Sequence, residues 1–283
     1  MNYDHHFHAG NFADVAKHIT LMRIMSYLQK KPSPFRVIDT HAGSGLYDLG
    51  DEKAERSPEY VEGIAALMAA DLPDEATKLI APYLDAIRET NTSEKLTSYP
   101  GSPKLARDLL RDKDRLTAIE LHPEAFADLK SLFQGDIAVK TMNLNGYQAL
   151  PAQLPPKEKR GVILMDPPFE EHHEFDRMVA TLVKAHRHFA HGIFALWYPL
   201  KNEDDIAHFK RQLQATKIPG ILCSELHLRA PSYPARLFGT GMIVVNPPYV
   251  LRNELDVIFK AILPALSSAK SASYTNSWIT PAP

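Results

Sequence analysis

The sequence predicts an α/β fold: a mostly parallel seven-stranded sheet with an antiparallel edge strand, plus a small helical insertion. Short apolar runs such as Val162-Ile163-Leu164-Met165 recur without polar alternation, as strands buried on both faces do. Stretches of helical period separate them. The runs that end at Asp39, Glu120 and Asp166 each place an acid before a turn. Ligands of open α/β sheets bind at such carboxyl ends.

Composition narrows the class. With 283 residues, 45% apolar and 23% charged, the chain suffices for one large globular domain, or a domain with an insertion. No run approaches the roughly 18 apolar residues of a membrane span. Met1-Asn2-Tyr3-Asp4-His5-His6 lacks the basic and apolar regions of a signal peptide, so a cytoplasmic protein is expected. The single Cys223 excludes an internal disulfide, and its neighbours Gly220-Ile221-Leu222 point to a buried, inert thiol. A formal net charge of −2 means that a polyanion would have to meet local positive charge. The compact basic stretches are Lys104 to Arg115, Lys157-Glu158-Lys159-Arg160 and His186-Arg187-His188, each also readable as a solvated face.

In chain order, residues 1–12 form a polar, aromatic, flexible tail, and a helix runs from Asn11, its N-cap, to Gln29. The histidines at 5, 6 and 8 have no partner ligands at metal-site spacing, so no metal is expected. Phe35 to Gly45 reads as a first strand running into a glycine turn. Position 48 is Asp where a dinucleotide fingerprint needs a third glycine, so an adenosine ligand without pyrophosphate fits better. Residues 51–99 are helical without a clear strand and read as an insertion subdomain overhanging the ligand edge, for substrate recognition or structure; 1–50 and 100–283 make the main domain. Ser102 is the expected N-cap of a helix with Pro103 at N1.

Further strands are expected at Arg115–Ile119 and Val139–Leu144, with Glu120 and the Asn145-Gly146 turn at the same edge. Glu120 suits ribose hydroxyls; an exposed strand-end acid is the alternative. Helices follow at Glu174–His188, 206–216 and 255–266, with strands at 192–199, 218–228 and 241–246.

Asp166-Pro167-Pro168-Phe169 ends its strand because proline cannot continue the ladder. A carboxylate, a free carbonyl and a ring then meet at one point, the equipment to hold a planar base by its exocyclic amine. Asn246-Pro247-Pro248-Tyr249 repeats the pattern but ends the last strand, and reads as a structural stop.

The glycine loop, Glu120, Asn145-Gly146 and Asp166-Pro167-Pro168-Phe169 together resemble the Rossmann-like class I S-adenosylmethionine-dependent methyltransferases, whose amino-methylating members carry [Asp/Asn/Ser]-Pro-Pro-[Tyr/Phe/Trp]. Phe7-His8-Ala9-Gly10-Asn11, Lys17-His18, Tyr99 to Pro103, Ala195 to Pro199 and Gly241 to Pro248 extend the resemblance over nearly the whole chain, to the RlmJ (YhiR) family of 23S rRNA adenine-N6 methyltransferases. The resemblance implies S-adenosylmethionine contacts from His18, His41, Ser102, Glu120, Asn145, Gly146 and Asp166. It implies catalysis at Asp166, Pro167 and Phe169, and substrate contacts from Tyr3 and Phe169. The family often has Asp at position 145 and Tyr at position 169, where this chain has Asn and Phe; Phe keeps the stacking face. From the residues alone, His18 and His41 also read as ordinary polar positions.

The partner implied is 23S rRNA, protein-free or in an early assembly intermediate, with no membrane and no metal; a monomer is expected. Rival readings are a DNA-adenine or protein-glutamine methyltransferase, and a non-catalytic RNA-binding assembly factor.

Overall fold

A computed structural model describes residues 8–50, 58–91, 95–170, 173–232, 234 and 236–282. In chain order the strands are β1 (Arg36–Asp39), β2 (Leu46–Asp48), β3 (Ser98–Pro100), β4 (Arg115–Ile119) and β5 (Val139–Met142), then β6 (Gly161–Met165), β7 (Ile193–Leu200), β8 (Ile221–His227), β9 (Gly239–Val245) and β10 (Ser273–Thr280). Eight of them form one sheet in the order β10-β8-β9-β7-β6-β1-β4-β5. The pairs from β5 to β7 are parallel, while β9 is antiparallel to both β7 and β8, and β10 is antiparallel to β8.

The sheet thus has the expected mixed character and an antiparallel edge. That edge is β10, an eighth strand beyond the seven expected, and β9 is inserted between β7 and β8. β10 escapes the apolar-run criterion because an edge strand with one covered face needs few apolar residues. Only Asn276 of its eight residues is buried.

Side chains alternate between two cores, as a sheet covered on both faces requires. Val162 and Leu164 of β6 enter one core, while Ile163 and Met165 enter the other. The first core is closed by helix α1 (Phe12–Gln29) with helices Asp74–Thr90, Ser102–Leu109 and Leu251–Leu266. The second is closed by helices Glu174–His188 and Glu203–Ala215. β6, central and fully buried, carries its C-terminal end between these layers.

The Asn11 side chain caps α1, accepting from the Ala13 and Asp14 amides at 2.9 and 3.0 Å. Expected over 1–12, the tail gives way to fixed structure by Ala9, Gly10 and Asn11, which are buried; Gly10 N–H donates to Asp14 Oδ2 at 2.9 Å. Helix Ser102–Leu109 is capped by Gly101 rather than Ser102, whose hydroxyl is committed elsewhere. The chain leaves for residues 51–97 and returns through the β2–β3 ribbon. The helices between pack on α1 and on Leu251–Leu266. No helix among the described residues is long and apolar enough to cross a membrane.

Arg23 joins α1 to the last helix through a two-pronged pair with Glu254, both bonds 2.9 Å, and also donates to the Leu79 carbonyl at 3.1 Å. Glu254→Ala would leave a largely buried guanidinium with that carbonyl as its recorded partner. An expected loss of about 2–4 kcal/mol is measurable by urea unfolding; a loss below about 0.5 kcal/mol would mean that this pair does not hold α1 to the body.

Candidate active site

The carboxyl ends of β1, β4, β5, β6 and β7 share one edge because these strands are parallel. Asp39, Glu120, Asn145 and Asp166 therefore converge there from four loops. Adjacent ends are bonded to one another: Thr40 N–H donates to the Leu164 carbonyl at 3.1 Å, and Ala42 N–H to the Ile119 carbonyl at 2.9 Å.

At the end of β6, Asp166 Oδ2 accepts from Lys17 Nζ of α1 at 2.5 Å. The same ammonium lies 2.7 Å from Asp14 Oδ1 and 5.7 Å from the centre of the Trp197 ring. Burial works against the Lys17 charge, but contact with Asp14 and Asp166 more than offsets it and holds the ammonium above the usual lysine range. No hydrogen-bond partner for the other Asp166 oxygen is recorded among the described residues. Pro167 is buried. Phe169, half-buried, adopts a left-handed φ of 52°, a conformation that costs a bulky residue energy unless its surroundings enforce it. Phe175 at 5.0 Å and Trp197, edge-on at 5.6 Å, flank its ring.

Among the expected ligand contacts, Glu120 is buried beneath the glycine loop: Gly43 N–H donates to Oε2 at 2.8 Å and His122 N–H to Oε1 at 2.7 Å. The exposed strand-end alternative is thereby excluded. Ser102 Oγ donates to Asp39 Oδ2 at 2.6 Å. Asn145 caps the turn Gly146–Ala149, and a Cβ on Gly146 would lie 2.0 Å from the Thr40 carbonyl oxygen, so only glycine lets the β5 loop close on β1.

The Thr40 hydroxyl donates to the Leu164 carbonyl at 2.9 Å. Its 2.9 Å contact with His41 Nδ1 must then be accepted from the ring, leaving His41 Nε2 as an acceptor. Packing around His41, with the Arg177 charge nearby, pushes the imidazole down to about 3, so the ring is neutral near neutral pH. His18 is set deeper: 1% exposed, it meets the Tyr99 hydroxyl at 2.7 Å through Nδ1, and Tyr99 meets Tyr83 at 2.9 Å. Tyr3 lies outside the described residues.

Lys17 and Trp197 are not among the site residues read from the sequence, and Asp39 is read there only as a strand-end acid. A signal for Lys17 was present: α1 is flanked by apolar residues on every side, so its Asp14 and Lys17 had to be paired. Asn246 is displaced from the site by topology. β9 runs antiparallel to β7, so Asn246 sits at the opposite edge, its Nδ2 donating to the Ala190 and Gly192 carbonyls at 2.8 and 2.9 Å. Cys223 is buried as expected, and burial pushes its thiol up to about 11. No metal-competent group of His, Cys, Asp and Glu occurs among the described residues.

Residues 32–280 match the family model described as ribosomal RNA large subunit methyltransferase D, RlmJ. The ribosomal RNA large subunit methyltransferase J of Escherichia coli K12 is 41% identical over 282 residues, 99% of both chains. Its namesake from Haemophilus influenzae is 39% identical over 283 residues, again 99% of both. A crystal structure of a Legionella pneumophila protein superposes with a TM-score of 0.87 at 36% identity, covering 95% of this chain and 98% of that one.

Asp39 is 1% exposed, and burial raises its pKa to about 7, with the Asp166 charge adding to the effect against the bonds from Ser102 and the His41 amide. The folded state thus holds a proton that the unfolded chain releases near 3.8. This contribution to stability is full below pH 4 and is lost as pH rises to about 7, by up to roughly 4 kcal/mol. Asp39→Asn is expected to flatten the urea midpoint between pH 5 and 8; an unchanged pH slope would refute the assignment.

Proposed function

The chain belongs to the RlmJ family of ribosomal RNA large subunit methyltransferases, and from that premise we propose that it methylates N6 of a single adenine in 23S rRNA, with S-adenosylmethionine as donor. The enzyme is a ribosomal RNA methyltransferase; the base, the atom and the residue roles are the proposal. The observation that carries it is the state of Asp166. One oxygen is fixed on Lys17, the other has no recorded partner among the described residues, and Phe169 stands three residues on in an enforced left-handed conformation.

The acids at this edge suit the donor. Asp39 is a buried carboxyl whose recorded hydrogen bonds come from Ser102 and the His41 amide, neutral donors that do not offset the burial that raises its pKa. A cationic ligand would favour its ionised form. Glu120 beside the glycine loop matches ribose hydroxyls, and the neutral, acceptor-bearing His41 stands next to it on the same edge. His18, Ser102, Asn145 and Gly146 complete the set of cofactor contacts in this reading. S-adenosylmethionine supplies an electrophilic methyl group on a sulfonium.

A base stacked in a helix is out of reach, so the target adenine is flipped out. Phe169 then offers its ring face for stacking, and Tyr3 would contact the base from the N-terminal segment. The free Asp166 oxygen and the Pro167 carbonyl accept the two N6 hydrogens, turning the nitrogen lone pair toward the methyl group for direct in-line transfer. Rate comes from orientation and electrostatic fit, without a covalent enzyme intermediate. The substrate is 23S rRNA free of ribosomal proteins or in an early assembly intermediate.

Asp166→Ala is expected to lower kcat by about 10²–10³-fold or more while cofactor binding stays measurable by calorimetry. N6-methyladenine mapping of 23S rRNA from cells with and without the protein is the direct test. One adenine should lose its mark and regain it with the wild type but not with Asp166→Ala; near-normal turnover by that variant would sink the assignment.

A further inference from the structure

The functional reading requires a surface for the RNA backbone, and much of the basic sequence is committed or remote: Lys104 and Arg107 are paired with Asp108 and Asp136. Arg160 immediately precedes β6 and Arg115 begins β4, so both lie at the edge opposite Asp166. Both are also committed: Arg160 donates to the Ser33 and Leu28 carbonyls, and Arg115 to the Asp112 and Asp114 carbonyls.

We propose that the phosphate backbone flanking the target nucleotide is held by Arg229 and Arg236, on the loop between β8 and β9, with Lys270 beside them. This rests on the rRNA reading above. Register fixes the location. Met165 pairs with Leu196, and β7 continues to Leu200, opposite Gly239. Those further residues carry the β7–β9–β8 ribbon roughly 13 Å beyond the end of β6, at about 3.3 Å per residue. The loop's ends, Leu228 and Phe238, stand at that crest, a few nucleotides' reach from a base held at Asp166.

Its base is closed by Leu228 N–H to the Phe238 carbonyl and Phe238 N–H to the Leu200 carbonyl, both 2.8 Å. Ser267 Oγ donates to the Leu228 carbonyl at 2.6 Å, fastening the neighbouring turn that carries Lys270. Both ends of the loop, at Leu228 and Phe238, are therefore held by hydrogen bonds.

The chemistry matches phosphate. Arg229, Arg236 and Lys270 are exposed, and among the described residues no side-chain hydrogen bond or ion pair is recorded for any of them. The segments 228–238 and 267–272 contain no Asp or Glu, and they carry Ser232, Ser268 and Ser271, further donors to phosphate oxygens. An arginine fork without a protein partner is suited to bidentate phosphate contact.

The test compares wild type, Arg229→Ala/Arg236→Ala and, as a control, Arg187→Ala/Arg211→Ala, which removes two other arginines without recorded partners from helices Glu174–His188 and Glu203–Ala215. Methylation of protein-free 23S rRNA and RNA affinity across salt concentrations are measured for each. The crest variant is expected to raise KM for RNA about tenfold and reduce the salt slope by about 1.5–2, near the value for two lost phosphate contacts. Its kcat and cofactor affinity should hold, and the control should match wild type. A wild type active on RNA with an unchanged crest variant overturns the loop assignment alone. A wild type inactive on RNA overturns the functional reading and this surface with it.

Discussion

The site depends on one buried ammonium. A lysine sealed inside a protein is costly unless carboxylates surround it, and Lys17 meets that condition through Asp14 on its own helix and Asp166 on the central strand. Asp14 is in turn fixed by the Gly10 amide. Gly10 holds a φ of 76° and its carbonyl receives the Ile64 N–H at 2.9 Å, an approach possible because residue 63 is glycine: a Cβ there would lie 2.1 Å from the Gly10 oxygen. The orientation of Asp166 is thus set by the entry to the first helix. Residues 61–69 brace that entry from outside, which gives this segment a structural part in the site whatever else it touches.

Strand direction does the rest. Two Pro-Pro motifs with similar letters end two buried strands, and side-chain chemistry alone does not separate them. Asp166 ends a strand parallel to β1 and faces the glycine loop; Asn246 ends an antiparallel one and is consumed by two carbonyls at the far edge. The same rule sorts the cations, since charge runs just before parallel strands face away from the ligand edge and loops after them face toward it.

This explains what was legible in the sequence. Acids after apolar runs identify strand ends, so Asp166 and Glu120 could be read directly, and Phe35 to Gly45 announced the loop beside them. Lys17 could not be read from its neighbours alone, because its partner Asp166 lies far along the chain; only the unbroken apolar flanking of α1 hinted at a pair. β10 was hidden because an edge strand has no core to fill on one side. Ser102 was misread as a cap because local spacing does not reveal a buried Asp39 competing for its hydroxyl. Sequence pattern reports burial and local turns; it is silent on which long-range partner a polar group finds.

The two acids nearest the proposed chemistry therefore have different electrostatic duties. A carboxylate with one oxygen fixed on an ammonium presents its other oxygen in a defined direction as a hydrogen-bond acceptor, which is what Asp166 needs if it orients an amine that becomes acidic only after methylation. Asp39 has no cation in direct contact, and burial raises its pKa to about 7. Lys17 separates these duties: it touches Asp166 directly and reaches Asp39 only through space. An exchange of the two environments would move the lysine contact from Asp166 to Asp39 and leave Asp166 without its fixed oxygen. The placement of one lysine on α1 is what keeps them distinct.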